Sequence, residues 1–134
     1  MSIATLVRNR LLSDATIAAA VVDRVYPVTS GNDKPVYPMI IFHHVGKGSM
    51  QSMTGPSGLG MPHVQINIAV DQFDYDLLEV LEDRVRVVMQ TYRDIANGFQ
   101  AAIVRGGGDL PVDETTRAIG KFVDFELHVA EAKT

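Results

Sequence analysis

Two segments of strict alternation constrain this chain more than anything else in it. From His63 to Asp71, Val64, Ile66, Ile68 and Val70 interleave with His63, Gln65, Asn67 and Asp71. Near the C-terminus Val123, Phe125, Leu127 and Val129 interleave with Asp124, Glu126 and His128. A period of two places each apolar set on one face of a strand and each polar set on the other. Both segments therefore read as half-buried strands, and the sheet they build has one face for a core and one for water. Something must cover the apolar face. Between them Asp74 offers an N-cap, and Leu77, Leu78, Leu81, Val85, Val88, Met89 and Tyr92 form a stripe at helical spacing. That predicts a main helix of about four turns.

The remaining segments fill in around this frame. Ile3, Leu6, Val7 and Leu11 recur at helical spacing behind a Ser2 cap, with Arg8 and Arg10 off the stripe, which predicts a short amphipathic first helix. Asp14 caps a second short, alanine-rich helix over 15–21. Breakers and turn formers crowd 27–36, which reads as a surface loop. Tyr37 to Val45 then reads as a strand whose continuous apolar run through Met39 to Phe42 predicts cover on both faces. Asn97 and Gly98 mark a turn, Phe99 to Arg105 a strand, and Gly106, Gly107 and Gly108 a hairpin tip. The order predicts an α+β fold over residues 1–134 as one domain. Its sheet is mostly antiparallel or mixed, with the long helix and the short N-terminal helix packed on one face.

Residues 46–62 stand apart. These seventeen residues hold five Gly, three Met, three Ser and two Pro, with one lysine and no acidic or aromatic residue. The composition predicts a long, flexible loop extending from a strand pair, and loops of that length are mostly functional or disordered. Met50, Met53, Leu59 and Met61 supply adaptable apolar side chains suited to an irregular partner, so they are the candidate contact residues for a subunit or another protein.

Chemistry is sparse by comparison. A formal net charge of −4 disfavours a grip on phosphate backbones, which requires clustered Lys and Arg. The chain has no cysteine, so neither a disulfide framework nor a thiolate site is available. The longest aliphatic run, Ala15 to Val22, is far short of the ~20 residues of a membrane span, and Arg8 and Arg10 sit inside the first apolar pattern rather than ahead of it. A soluble, unexported protein is the expectation. His43 and His44 are adjacent and point to opposite faces of a regular strand; His63 and His128 could join one of them only across the sheet, without a recognised ligand spacing. The three glycines lack the Lys-Ser/Thr of a phosphate loop, and no serine sits in a nucleophile elbow. No catalytic, cofactor or metal residue is assigned. The alternative reading is a small metal-dependent or acid/base enzyme using these histidines and nearby carboxylates. Asp71, Asp74, Asp76, Glu79, Glu82 and Asp83 give the first half of the main helix an acidic face, consistent with the helix dipole.

The whole pattern resembles the small tail-completion, or tail terminator, proteins of long-tailed bacteriophages, prophages and gene-transfer particles. The resemblance rests on the first helix with Leu6 and Leu11, on Val22-Asp23-Arg24-Val25-Tyr26-Pro27, and on Val36-Tyr37-Pro38 opening an apolar strand. It continues through Val64-Gln65-Ile66-Asn67-Ile68 before the long helix and Phe122-Val123-Asp124-Phe125-Glu126-Leu127 at the end. It implies a non-enzymatic virion protein assembled in the bacterial host cytoplasm as a homo-oligomeric ring, a hexamer, at the head-proximal end of the tail. There it stops growth of the tail tube protein and meets the head-completion or connector protein, with DNA passing through the ring. It implies no cofactor, no membrane and no sequence-specific nucleic-acid binding. No functional residue carries over.

Overall fold

The structure, a computed structural model, describes residues 3–27, 36–52, 55–112 and 117–130, and within these the side chains of residues 3, 44–62, 97 and 130 lie outside the description. Helices α1 (Ile3–Leu12) and α2 (Ala15–Val21) come first, then strands β1 (Val25–Pro27), β2 (Met39–Ser52) and β3 (Gly55–Val70). Helix α3 (Tyr75–Gln90), β4 (Phe99–Leu110) and β5 (Ile119–Ala130) complete the fold. The five strands form one sheet in the order β1-β2-β3-β5-β4. Only β1 and β2 run parallel; the other pairs are antiparallel. The α+β architecture with a mixed sheet thus stands as expected.

The alternating segments do what their period demands. Val64, Ile66, Ile68 and Val70 of β3 and Val123, Phe125, Leu127 and Val129 of β5 are all buried. Their register places Val64 opposite Phe125 and Ile66 opposite Val123, so the two apolar rows share one face. From α3, Leu78, Leu81, Val85, Val88 and Met89 are buried against it. Leu77 and Tyr92 are only partly buried, Tyr92 because the helix ends before it. Leu6, Val7 and Leu11 of α1 and Ile17 and Val21 of α2 close the same core. Because β5 lies between β3 and β4, the connection β3–α3–β4 spans two strand positions with its helix over the core face, leaving the middle slot for β5.

Local chemistry sets the element ends. Asp14 caps α2 as expected, its carboxylate accepting a hydrogen bond from the Ile17 amide at 3.1 Å. Asp74 occupies the N-cap position of α3 without a side-chain cap bond. Gly98, at φ 83°, donates to the Ile95 carbonyl at 3.0 Å and turns the chain into β4, a conformation glycine adopts without steric cost. Arg10 ties α1 to the end of α3: it donates to the Val88 carbonyl and the Thr91 hydroxyl, each at 3.0 Å, and lies over the Tyr92 ring. A cation there complements the helix dipole.

Three expectations are corrected. The segment read as a long loop is strand: Gly46 pairs with His63, Lys47 with Pro62, Gly48 with Met61 and Ser49 with Gly60, and Gln51 and Ser52 pair with Pro56 and Gly55. Glycine-rich sequence carries no hydrophobic period, yet each backbone finds its partner in the other. Register shifts at His44/Gly46 and Ser49/Gln51 mark where extra residues are absorbed. Residues 53 and 54 lie outside the described residues. The triple glycine is likewise in mid-strand, since β4 runs through Gly106, Gly107 and Gly108 to Leu110. Finally, β2 is fully covered on one face and partly on the other: Ile40 and Phe42 are buried against the core, whereas on the opposite face Met39 is buried and Ile41 and His43 are half-buried. The apolar run reflects a hydrophobic residue on the open face, not a second helical layer.

Candidate interaction surface

With the described helices on the core face, the other face of the sheet is open, and the register assembles its residues into rows. One row runs His43, Gln65, Asp124 and Gly106; the next runs Ile41, Asn67, Phe122 and Gly108. Toward the other end His63 lies opposite Glu126, and Glu126 opposite Ile103. These side chains come from four strands far apart in sequence.

Glu126 is the electrostatic centre. Its carboxylate accepts from Arg105 Nη2 at 2.8 Å and lies 2.9 Å from His128 Nε2, while His63 Nε2 is 3.8 Å away. Arg105, then His128, hold its carboxyl below the ordinary glutamate range, against partial burial acting the other way. Beside it Gln65 donates to the Asn67 side chain at 2.8 Å. Asp124 is treated differently by its surroundings. Its Oδ1 is covered and accepts no hydrogen bond among the described residues. A covered carboxylate oxygen without a donor is costly.

The arrangement suits binding more than reaction. Among the described residues no three His, Asp or Glu side chains converge on a point that could hold a metal ion. His43 faces Gln65 across the strands, and His63 and His128 flank a carboxylate already engaged by Arg105. The side chain of His44 is outside the described residues. The acidic helix start is a solvated surface: Asp71, Asp74, Asp76, Glu79 and Asp83 are exposed, and Glu82 pairs with Arg86 one turn on. On the helix side Ala15, Thr16, Ala19, Ala20, Pro38 and Leu77 line a shallow apolar trough. Phe73, 86% exposed at the turn into α3, stands clear of the core.

Of the residues singled out for contact, Met50, Leu59 and Met61 lie in the paired arm formed by the distal parts of β2 and β3, and Met53 is outside the described residues. Met61 is opposite Gly48, and Leu59 opposite Ala130 of β5. The Arg105, Glu126 and His128 cluster was not foreseen. The alternation did put Glu126 and His128 on one face, but only the β4–β5 register brings Arg105 to them.

No family model matches this chain, and no curated protein does. Among solved structures it is similar to a chain described as "Virion of native gene transfer agent (GTA) particle", with a TM-score of 0.70 at 14% identity, covering 96% of this chain and 95% of that one. At that identity the likeness speaks for the fold, and it extends end to end.

Proposed function

We propose that this chain is a structural virion protein of a phage-like particle, a subunit that assembles as a ring at the head-proximal end of the tail tube. In this role it ends tube polymerisation and joins the tail to the head connector. The observation that carries the reading is the end-to-end fold shared with a chain of a gene transfer agent virion. A domain embellished for some other activity would leave part of one chain unmatched.

Three features of the molecule support it. A ring requires each subunit to present two different patches, and closure avoids an open filament. The open sheet face and the projecting arm are two such patches. The exposed acidic start of α3 would repel DNA if turned toward the lumen, as suits a ring through which DNA passes. The charge centre on the sheet is saturated internally, as expected of a surface that docks rather than reacts.

Light scattering of the purified protein, alone and with tube protein, tests the proposal. The expected result is a discrete oligomer near six subunits in at least one condition, with electron micrographs showing rings on one tube end. A strict monomer that leaves tube length and tube ends unchanged overturns it. The reading places the protein in the virion, with assembly in the host cytoplasm.

A further inference from the structure

The three consecutive glycines of β4 are not equivalent. A Cβ at Gly107 would lie 2.7 Å from Arg86 Nη2, a side-chain end that can swing aside, and 3.0 Å from the Phe122 carbonyl oxygen, so a side chain there is crowded on the core face. At Gly106 the nearest atom would be Asp124 Oδ2 at 3.7 Å, and at Gly108 Phe122 Cε1 at 3.4 Å. Those are ordinary contacts, and neither residue has a positive φ. This chain could carry a Cβ at both positions without strain. Glycine weakens a strand interior, and an unforced one marks either a bulge, such as the register shift between Val104 and Gly106, or a place where another backbone approaches closely.

Gly106 and Gly108 lie on the open face, in register with Asp124 and Phe122 of β5. They make a bare strip on an edge strand whose outer side has no partner strand among the described residues. Next to that strip is Asp124, with one covered carboxylate oxygen that no described donor reaches. The strip therefore combines open backbone, an aromatic ring and an acidic side chain. An occupant should be thin, rich in glycine and free of acids.

The arm of this same chain has that chemistry. Residues 46–62 carry five glycines, one lysine and no acid, within a chain of net charge −4. Among the described residues, β1 flanks β2 no further than Phe42, and β3 pairs with β5 no earlier than Leu59. The arm's far part is then a two-stranded ribbon, which is marginal by itself in water. It cannot reach its own strip: Gly106 and Gly108 lie at the level of Gln65 and Asn67, and β2 and β3 carry the arm away from that level past His63.

We propose that the arm of one copy lies across the Gly106–Gly108 strip of the next, beside Asp124, as the heterologous contact that closes the ring. The inference rests on the ring reading and specifies its joint. The natural absence of cysteine makes cross-linking a clean test. Gly106→Cys is combined in turn with Gly48→Cys, Ser49→Cys and Gln51→Cys, and the assembled protein is treated with a short bismaleimide. The expected result is a ladder of covalent oligomers from at least one double variant, absent from every single-cysteine variant. Gly106→Leu should weaken subunit association at least tenfold while its melting temperature stays that of the parent. If light scattering shows the ring but no double variant gives a ladder, or Gly106→Leu associates as tightly as the parent, the joint lies elsewhere and the ring reading survives. If no oligomer forms with or without tube protein, the ring reading itself falls.

Discussion

Single residues separate what the fold needs from what an assembly needs. Gly120 pairs with Ala69, and a Cβ there would meet the Ile68 carbonyl oxygen at 2.7 Å and Leu110 Cδ1 at 3.1 Å. The obstacle is backbone in the centre of the sheet, which cannot swing aside as a side-chain end can. Gly120→Ala should therefore cost about 1–3 kcal/mol, the range for overpacking, whereas Gly106→Ala should stay within about 0.5 kcal/mol of the parent. Urea unfolding of the two variants side by side measures the contrast. Asp14 gives a pH-dependent case. Its carboxylate caps α2 and accepts from Arg84 Nη2 at 2.5 Å, and the Arg84 hydrogen bond, more than any other cause, lowers its pKa from the ordinary aspartate value. A folded-state pKa below the unfolded one contributes stability that is present above the unfolded value and fades as pH falls through the folded one. Asparagine caps a helix about as well as aspartate, so Asp14→Asn should isolate the charge. The parent should be more stable at neutral pH, and the two should converge below the ordinary aspartate range. Asp14→Ala should lose about 1 kcal/mol more through the missing cap. Thermal melts across pH decide both points.

At the scale of elements, the core and the arm are expected to be separable. The buried cluster runs from Leu6, Val7 and Leu11 through Ile40, Phe42 and the β3 row beginning at Val64 to Val129, so its described members lie on either side of the arm. Replacing 47–62 by Asn-Gly would join Gly46 to His63, which already face each other, through a two-residue hairpin of favoured type. The shortened protein should melt cooperatively within a few degrees of the parent and fail to assemble; a loss of cooperative unfolding would show the arm to be part of the folding unit. The same boundary separates what was legible in the sequence from what was not. Where a core enforces a period, as in Val64 to Val70, Val123 to Val129 and the α3 stripe, residues announce both element and face, because a one-residue slip would expose every apolar side chain. Gly46 to Pro62 and Gly106 to Gly108 have no such period. Their extended conformation comes from a partner strand, and pairing is a property of two segments that neither one states alone. The open-face cluster was half legible for that reason: alternation put Glu126 and His128 together, while Arg105 arrived through the β4–β5 register. The bare strip at Gly106 and Gly108 needed coordinates, since only distances distinguish a glycine the fold requires from one it does not.

For the molecule as a whole, charge and shape make different demands on the assembly. With net charge −4 and an exposed acidic start to α3, the protein lacks the basic footprint that gives nonspecific DNA affinity. No retardation of double-stranded DNA is expected in a mobility-shift assay even at low salt, where such binding is strongest; a salt-sensitive shift would argue against a ring that lets DNA pass freely. Termination demands more. A protein that only binds the tube would coat its wall or bridge tubes, whereas one that ends polymerisation must match the terminal ring on one side and refuse another tube subunit on the other. Sub-stoichiometric addition to polymerising tube protein should then shorten the tubes, with mean length falling as the ratio of this protein to tube protein rises and total polymer mass unchanged while tube protein is in excess. If the arm is the proposed joint, the arm-replaced variant should leave the length distribution where it was. Length measured by electron microscopy against added protein reads this directly. A fall in polymer mass without a change in length would instead identify sequestration of tube monomers, a different activity that would overturn the proposed terminator role.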